Sequence, residues 1–372
     1  MAVTIGINGF GRIGRLVFRQ LLSDKNFQIA GINDAAKPNL LAYLLKYDTL
    51  GRTSPAETLK AGPDFITVRG KTVKVLGETD PARLPWKKFK VDLVLECSGL
   101  NGEQAAAHIG AGAKRVLIAG PGGEQVSTVV FGVNEKKIGP QDRIISAGSA
   151  AVNCLALLAK ALHELAPIRS GIVTILHSSA GERPGQDGIP LGFRRARAGA
   201  FDIIPSPAGA VGDIGLLIPG LEGRIAGAAQ RVPAASGSSV LLDAVVETGD
   251  LDAEILNRAM KAKSNRAFGY NGEEIISSDV TGCGYGALFD ATQTLVLPLG
   301  DGLFQVHAVS WYGNESSYAS QLARTIKYCA GLPPKGGSSK APREEAGKPA
   351  PEKTAREDSS LLPRKPLINF HR

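Results

Sequence analysis

The hydrophobic pattern of the first 34 residues predicts a strand, a helix and a second strand in succession. A β-branched apolar run covers residues 3–7, an amphipathic segment follows, and a second apolar run ends at Asn33 and Asp34. β-Branched runs favour strands, and apolar residues at a spacing of three to four favour a helix that packs one face on a sheet. The chain therefore opens with a βαβ unit, which is typical of a parallel sheet covered by helices.

A glycine-rich turn joins the first strand to the helix. Its six residues are candidates for holding a dinucleotide: Gly9, Phe10, Gly11, Arg12, Ile13 and Gly14. The first glycine permits a tight turn, the second lets backbone approach a pyrophosphate, and the third lets the helix lie close to the sheet. Asp34, 20 residues after the last glycine, can accept hydrogen bonds from both ribose hydroxyls and repel a 2′-phosphate. The pattern predicts NAD rather than NADP.

The following segments extend this unit into a larger sheet. We expect a helix at 39–47, a hairpin at 65–76, a strand at 91–97 before Ser98 and Gly99, a helix at 103–112 and a strand at 114–119 that ends at Ala119. Small residues at strand ends suit a dinucleotide that lies across them. Residues 1–150 are therefore predicted to form a Rossmann domain in an α/β fold.

From about residue 150 the pattern changes to long strands with intervening helices. A turn rich in Gly, Ser and Ala at 147–154 leads into a helix at 155–165, and strands are predicted at 172–177, 226–232, 238–248, 287–297 and 303–311. Such a run predicts a largely antiparallel sheet with helices on one face. The long loop at 178–206 is rich in Gly, Pro and Arg, and loops of this length usually carry function or hold subunits together.

The end of the chain changes in composition. A final helix is predicted at 316–330, and residues 335–358 are so rich in Pro, Lys, Glu, Ala, Ser and Gly that we expect a disordered tail. Apolar residues return at 361–370. This last stretch is either a short linear motif that recruits a protein partner or a nonfunctional end.

Composition and charge narrow the class of protein. The 372 residues can bury two cores, and the chain holds no apolar run of membrane-spanning length and no signal peptide, so we expect a cytoplasmic protein. The net charge of +8 raises the question of nucleic acid. Half of it lies in the tail, where residues 335–372 carry nine basic and five acidic side chains. Because the rest is only mildly basic, nucleic-acid binding is not expected.

The cysteines and histidines do not predict a metal site. Cys97, Cys154, Cys283 and Cys329 lie far apart, and no pair has the spacing of metal ligands or of a redox motif. The five histidines form no pair at i,i+4 spacing. We expect reduced thiols in the core.

Seven motifs in order resemble the phosphorylating glyceraldehyde-3-phosphate dehydrogenases over residues 2–331. They are IGINGFGRIGR, INDAAKPNLLAYLLKYDT, GAKRVLIAGP, NCLALLAKALHE, RRARAGAFDIIPSPAG, RVPAASGSSVLLDAVVE and SWYGNESSYASQL. The resemblance implies a Rossmann domain at 1–150 that the last helix, 315–331, completes, a catalytic domain at 151–314, and a homotetramer in which the long loop touches a neighbour's cofactor. It also implies that Arg12 and Ile13 line the pyrophosphate of NAD and that Asn314 holds the nicotinamide carboxamide.

The resemblance also locates a departure from the family. The position of its nucleophilic cysteine holds Ala150, whereas His177 retains the position of its base. The threonine positions that donate to both phosphates hold Ala151, Ala180, Glu182 and Ala208. Four residues that could still hold an anion remain: Ser149, Arg197, Gly209 and Arg231. A methyl group has no lone pair with which to attack a carbonyl, and Cys154 is expected to be a core residue.

Three functions remain open from the sequence. The first is an NAD-binding homologue without phosphorylating activity, which has a structural, regulatory or scaffold role and recruits a partner through its tail. The second is an active NAD-dependent oxidoreductase on an aldehyde or sugar phosphate, in which His177 serves direct hydride transfer. The third is a phosphorylating dehydrogenase altered at its cysteine for trapping. His177 could equally be retained for packing, and the arginines for ion pairs between subunits.

Overall fold

The computed structural model describes residues 2–48, 58–178, 193–194 and 201–331. Their strands are β1 (Val3–Asn8), β2 (Phe27–Asn33), β3 (Leu59–Ala61), β4 (Phe65–Val68), β5 (Lys71–Leu76), β6 (Leu93–Glu96), β7 (Arg115–Ile118), β8 (Ile144–Ser146), β9 (Ile168–Ser178), β10 (Ile204–Ser206), β11 (Ile225–Val232), β12 (Ser238–Glu247), β13 (Phe268–Asn271), β14 (Ala287–Gly300) and β15 (Leu303–Tyr312). Their α-helices are α1 (Arg12–Leu22), α2 (Pro38–Lys46), α3 (Trp86–Phe89), α4 (Gly102–Gly110), α5 (Ala150–Leu165), α6 (Gly209–Gly212), α7 (Ile214–Leu217), α8 (Ala253–Ala262) and α9 (Ser316–Cys329).

The first sheet confirms the Rossmann prediction. Its strand order is β3-β4-β5-β2-β1-β6-β7-β8. The last six strands in this order are parallel to one another. The chain passes from β1 to β2 on one side and later returns to β6 on the other, so a crevice opens at the carboxyl ends of these strands. The register pairs Asn8 with Asn33 and with Glu96 at that edge.

The second sheet has the order β10-β11-β9-β12-β15-β14-β13. Most of its pairings are antiparallel, as predicted, but β9 with β11 and β13 with β14 are parallel. The buried side of the sheet packs against α5 around an apolar core that includes Leu155, Val240 and Phe289. On the strands β9 and β14, Ile172 and Leu295 are 64% and 62% exposed.

Helix α5 begins five residues before the predicted start at 155. The Ser149 hydroxyl accepts a hydrogen bond from the backbone N–H of Val152 at 3.2 Å, and the Asn153 side chain donates to the Ala147 carbonyl oxygen at 2.9 Å. A serine N-cap satisfies one of the free N–H groups of a first helical turn. The predicted turn at 147–154 therefore ends at Ser149, and Ala150 to Cys154 are helical.

The last helix packs against the first helix and the core of the first sheet. Helix α9 contacts α1, and its apolar side chains Leu322 and Ile326 lie in the same core as Val17 of α1 and Ile7 of β1. The Tyr318 hydroxyl donates to the Gly148 carbonyl oxygen at 2.6 Å. The chain thus returns from the second sheet to the turn that precedes α5.

Several predictions fall outside the described residues. These are the disordered tail, the terminal motif and most of the loop at 178–206, including Ala180, Glu182 and Arg197. At its two ends this segment is shorter than predicted, because Ser178 closes β9 and 204–206 form β10. Within the ranges that the structure describes, none of the helices combines the length and the apolar character needed to span a bilayer.

Candidate functional site

The glycine-rich turn after β1 has the geometry that a dinucleotide needs. Gly9 has a φ of +85°, and a Cβ on Gly14 would lie 2.3 Å from the Gly9 carbonyl oxygen. Among the described residues, no atom lies within 4 Å of the place that a Cβ would take on Gly11. Gly9 and Gly14 therefore fit the turn and the close approach of the helix, whereas Gly11 leaves its backbone open to a ligand.

Phe10 and Asp34 fix the edge of this turn. The Phe10 backbone N–H donates to Asp34 Oδ2 at 2.7 Å, and the Ala36 N–H donates to Asp34 Oδ1 at 2.9 Å. The Phe10 side chain is buried and packs edge-on against Phe18 at 5.2 Å between ring centroids. Phe10 thus offers only backbone to a ligand, and the Asp34 carboxylate is oriented before one binds.

A buried polar chain supports the strand ends beneath Ser98. Glu96 accepts hydrogen bonds from the Ser98 N–H and hydroxyl, both at 2.6 Å, and from the Asn8 amide at 2.6 Å. His108 Nε2 lies 2.9 Å from Glu96 Oε2, and His108 Nδ1 accepts from the Trp86 indole N–H at 2.9 Å. Burial by itself would raise the pKa of Glu96, but these hydrogen bonds outweigh it and hold the pKa below its usual value.

One cleft of about 630 Å³ collects residues from distant parts of the chain. Six of the predicted site residues line it: Arg12, Ile13, Ala119, Ser149, Ala150 and Asn314. Six others line it that the sequence analysis did not select: Arg15, Gly120, Pro121, Gly148, Glu315 and Tyr318. The turn after β1, the end of β7, the start of α5 and the start of α9 therefore meet around one space.

Arg15 and Glu315 are functional candidates that sequence reasoning missed. Arg15 Nη1 donates to the Phe10 carbonyl oxygen at 2.9 Å, and burial lowers the pKa of its guanidinium. Glu315 Oε1 accepts from Arg12 Nη1 at 2.5 Å. The spacing of Arg12 and Arg15, one helical turn apart, was a usable signal for Arg15. Nothing local in the sequence pointed to Glu315.

The turn before α5 presents a methyl group to the cleft. Ala150 is the first helical residue and lines the cleft, whereas Ala151 is buried. Cys154 is fully buried, with its sulfur 3.8 Å from the Ser310 carbonyl oxygen and 3.9 Å from that of Trp311. Burial raises the pKa of the Cys154 thiol well above its usual value. Cys154 is a core residue, as expected.

His177 lies near the end of β9 in the second sheet, close to the elements that carry Arg231 and Gly209. Its Nδ1 is 2.9 Å from the Tyr312 hydroxyl, and the two rings meet edge-on. The parallel register of β9 and β11 places Arg231 directly opposite His177. Gly209 begins α6, which packs on β11 and α5. His177, Arg231 and Gly209 therefore belong to neighbouring elements, although they do not line the cleft described above.

Asn314 is held on both sides of its amide group. Its Nδ2 donates to the Ser178 hydroxyl at 2.8 Å, and its Oδ1 accepts from the Ser238 hydroxyl at 2.7 Å. Since Ser178 directly follows His177, these contacts connect the cleft to the end of β9. Among the described residues, no group of three or more His, Cys, Asp or Glu side chains could hold a metal ion.

Two family models match this chain. The glyceraldehyde 3-phosphate dehydrogenase NAD binding domain matches residues 3–104, and the C-terminal domain of the same enzyme matches residues 149–314. The chain belongs to the glyceraldehyde-3-phosphate dehydrogenase family. Relatives named glyceraldehyde-3-phosphate dehydrogenase from Streptococcus pyogenes and from its serotype M1 are 46% identical over 336 residues, which cover 89% of this chain and 99% of theirs. A relative of that name from serotype M3 strain SSI-1 is 45% identical over the same length.

As a glyceraldehyde-3-phosphate dehydrogenase homologue, the chain takes NAD as its cofactor. The open backbone at Gly11, the N-terminus of α1 and the oriented Asp34 carboxylate fit a pyrophosphate and a ribose. NAD supplies a hydride acceptor when it is bound. The chain's own contribution is to hold and orient that group, and Asn314 is the candidate for its nicotinamide end.

Proposed function

We propose that this glyceraldehyde-3-phosphate dehydrogenase homologue binds NAD but does not carry out phosphorylating dehydrogenation. The observation that carries the proposal is Ala150 at the first position of α5, facing the cleft. In the phosphorylating reaction a thiolate attacks the aldehyde and a thioester is later cleaved by phosphate. The N-terminus of a helix favours such a thiolate, but a methyl group offers no electron pair for the covalent step.

Three of the four thiols are poor candidates for a substitute nucleophile. The sulfur of Cys154 contacts backbone carbonyl oxygens in the core, and burial raises its pKa. Burial also raises the pKa values of Cys97 and Cys329. Because the thiolate is the reactive form, these groups are poor nucleophiles at neutral pH.

The predicted anion sites have lost hydroxyl donors. Ala151 and Ala208 are the described positions where the family resemblance implies threonine, and neither side chain can donate a hydrogen bond. Ser149 uses its hydroxyl to cap α5. We therefore propose that more than the nucleophile has changed, and that a cysteine at position 150 alone would not restore the reaction.

The test combines NAD binding with an activity assay on the full chain. Calorimetry should detect NAD binding, while the oxidation of glyceraldehyde 3-phosphate with phosphate and NAD should be at least about 10⁴-fold slower than for the Streptococcus pyogenes relative. Turnover at the relative's rate would overturn the proposal. Failure to bind NAD would overturn its first half.

We further propose that the protein is a homotetramer whose four tails recruit a partner. The exposed apolar side chains of Ile172, Leu295 and Leu297 on the second sheet support contact with another copy. Four tails on one particle would raise avidity for a multivalent partner by about 10² to 10⁴-fold. Light scattering on the full chain tests the assembly and should give the mass of four subunits. A chain that ends at residue 331 should also form a particle of four subunits.

A second candidate function is direct hydride transfer to a carbonyl compound. The contact between His177 Nδ1 and the Tyr312 hydroxyl favours it, because a positioned histidine can supply or accept a proton without a thioester. Screening small aldehydes and sugar phosphates with NADH tests this function. NADH oxidation that is lost in His177→Gln would support it over the first proposal, and no absorbance change across the panel would remove it.

A further inference from the structure

Ser178, Ser238 and Asn314 form a closed hydrogen-bonded ring beside the cleft. The backbone N–H of Ser178 donates to Ser238 Oγ at 2.9 Å, Ser238 Oγ contacts Asn314 Oδ1 at 2.7 Å, and Asn314 Nδ2 donates to Ser178 Oγ at 2.8 Å. Ser178 and Ser238 are 2% and 1% exposed, whereas Asn314 lines the cleft. The ring therefore connects the Asn314 amide, which a ligand can reach, to the two serine hydroxyls, which it cannot reach.

The Asn314 amide takes one orientation in this ring. The backbone N–H of Ser178 donates to Ser238 Oγ, and the Ser238 hydroxyl donates to Asn314 Oδ1. The amide nitrogen is then turned toward Ser178 Oγ. An amide oxygen has two lone pairs and an amide nitrogen two hydrogens, and the ring uses one of each. Asn314 thus retains one donor and one acceptor for a ligand.

We propose that Ser238 is a specificity-determining residue for the nicotinamide end of the dinucleotide. By orienting Asn314, it makes the site accept a carboxamide and reject a carboxylate. A carboxamide carries both a donor and an acceptor, which match the two groups that Asn314 retains. A carboxylate carries acceptors only, so one of its oxygens would face Asn314 Oδ1, and neither of these two oxygens would have a hydrogen bond. The proposal rests on NAD binding with its nicotinamide end at Asn314, and it does not depend on whether the protein turns over.

The test compares three ligands by calorimetry on the full chain. They are NAD, nicotinic acid adenine dinucleotide, which carries a carboxylate in place of the carboxamide, and ADP-ribose, which lacks the ring. We expect the wild type to prefer NAD over the acid analogue by about 100-fold, because a site with buried polar groups rejects a ligand that leaves them unpaired. The affinity for ADP-ribose measures how well the site binds the part of the dinucleotide that excludes the nicotinamide ring.

The decisive variant is Ser238→Ala. Without the hydroxyl the Asn314 amide can turn and offer N–H groups to a carboxylate, so the preference for NAD should fall about tenfold while ADP-ribose affinity stays the same. The matched control is Ser239→Ala, the next position of β12, whose side chain lies on the opposite face of the strand. It should keep the wild-type ratio.

An unchanged NAD preference in Ser238→Ala, with normal ADP-ribose binding, would overturn the proposal. So would a wild type that binds both dinucleotides equally. If Ser238→Ala fails to bind ADP-ribose, Asn314→Asp takes its place. That substitution keeps the acceptor for Ser238 and adds a negative charge, so it should raise the preference for NAD over the acid analogue by at least about tenfold. A ratio equal to that of the wild type would contradict the position of the nicotinamide end at Asn314 and overturn the proposal.

Discussion

Arg12, the first residue of α1, forms an ion pair with Glu315, the residue that directly precedes α9. Arg12 Nη1 lies 2.5 Å from Glu315 Oε1, and the two side chains are 32% and 18% exposed. They are 303 positions apart in the chain and both line the cleft. The pair therefore connects the predicted pyrophosphate end of the site to the segment that carries Asn314.

This pair should contribute measurably to stability because it is partly shielded from solvent. A double-mutant cycle with Arg12→Gln and Glu315→Gln should give a coupling free energy of about 1 kcal/mol in urea unfolding. The coupling should shrink in 0.5 M salt, at about a 4 Å Debye length. Additive effects of the two substitutions at low salt would contradict this expectation.

Substitutions at two glycines of the glycine-rich turn should have different effects, one on the free energy of unfolding and the other on NAD binding. Gly14→Ala places a methyl group 2.3 Å from the Gly9 carbonyl oxygen and should cost about 2 kcal/mol or more of unfolding free energy. Gly11→Ala meets open space at a φ of −65° and should change stability by less than about 0.5 kcal/mol. It should nevertheless weaken NAD binding at least about tenfold, because its methyl group occupies the approach to the backbone. Retained NAD affinity in Gly11→Ala would argue against a pyrophosphate at this turn.

A cysteine at the start of α5 should be reactive without restoring the enzyme. Ala150→Cys places a thiol at a helix N-terminus, which lowers its pKa, so iodoacetamide should label it at least about tenfold faster than the thiol introduced by Ala151→Cys in the buried neighbouring position. Phosphorylating activity should stay at least about 10²-fold below that of the Streptococcus pyogenes relative, because the hydroxyl donors are still absent. Full activity in Ala150→Cys would mean that the residue at position 150 alone accounts for the loss of phosphorylating activity.

The Glu96 network should make stability depend on pH. Its carboxylate has a pKa below the usual value, so its stabilisation is complete above pH about 4.3, where an unfolded glutamate is ionised, and is lost as the pH falls through the lower pKa of the folded state. Glu96→Gln should cost about 2–3 kcal/mol at pH 7 and less at pH 3. The exposed Glu124→Gln provides the control, with a small effect at both values. An equal loss from Glu96→Gln at pH 7 and pH 3 would contradict ionisation as the cause.

The sequence-based predictions were most accurate where structure depends on neighbours in the chain. The βαβ unit follows from a β-branched run, a glycine turn and an amphipathic segment, and the structure has all three between Val3 and Asn33. The start of α5 was placed five residues late, because small residues around Ala150 are compatible with both a turn and a helix. The Ser149 cap, together with the packing of α5 on the second sheet, selects the helix.

The sequence by itself predicted the Rossmann unit and NAD as the cofactor, and it shows alanine where a family resemblance implies a nucleophile. Each of these depends on residue type or on spacing within a short segment. Only the tertiary structure decided that Ser178, Ser238 and Asn314 close a ring, since they are 60 to 136 positions apart and become neighbours through the order of the strands. The same holds for Arg12 and Glu315, because they are 303 positions apart and become neighbours only where α9 packs on α1.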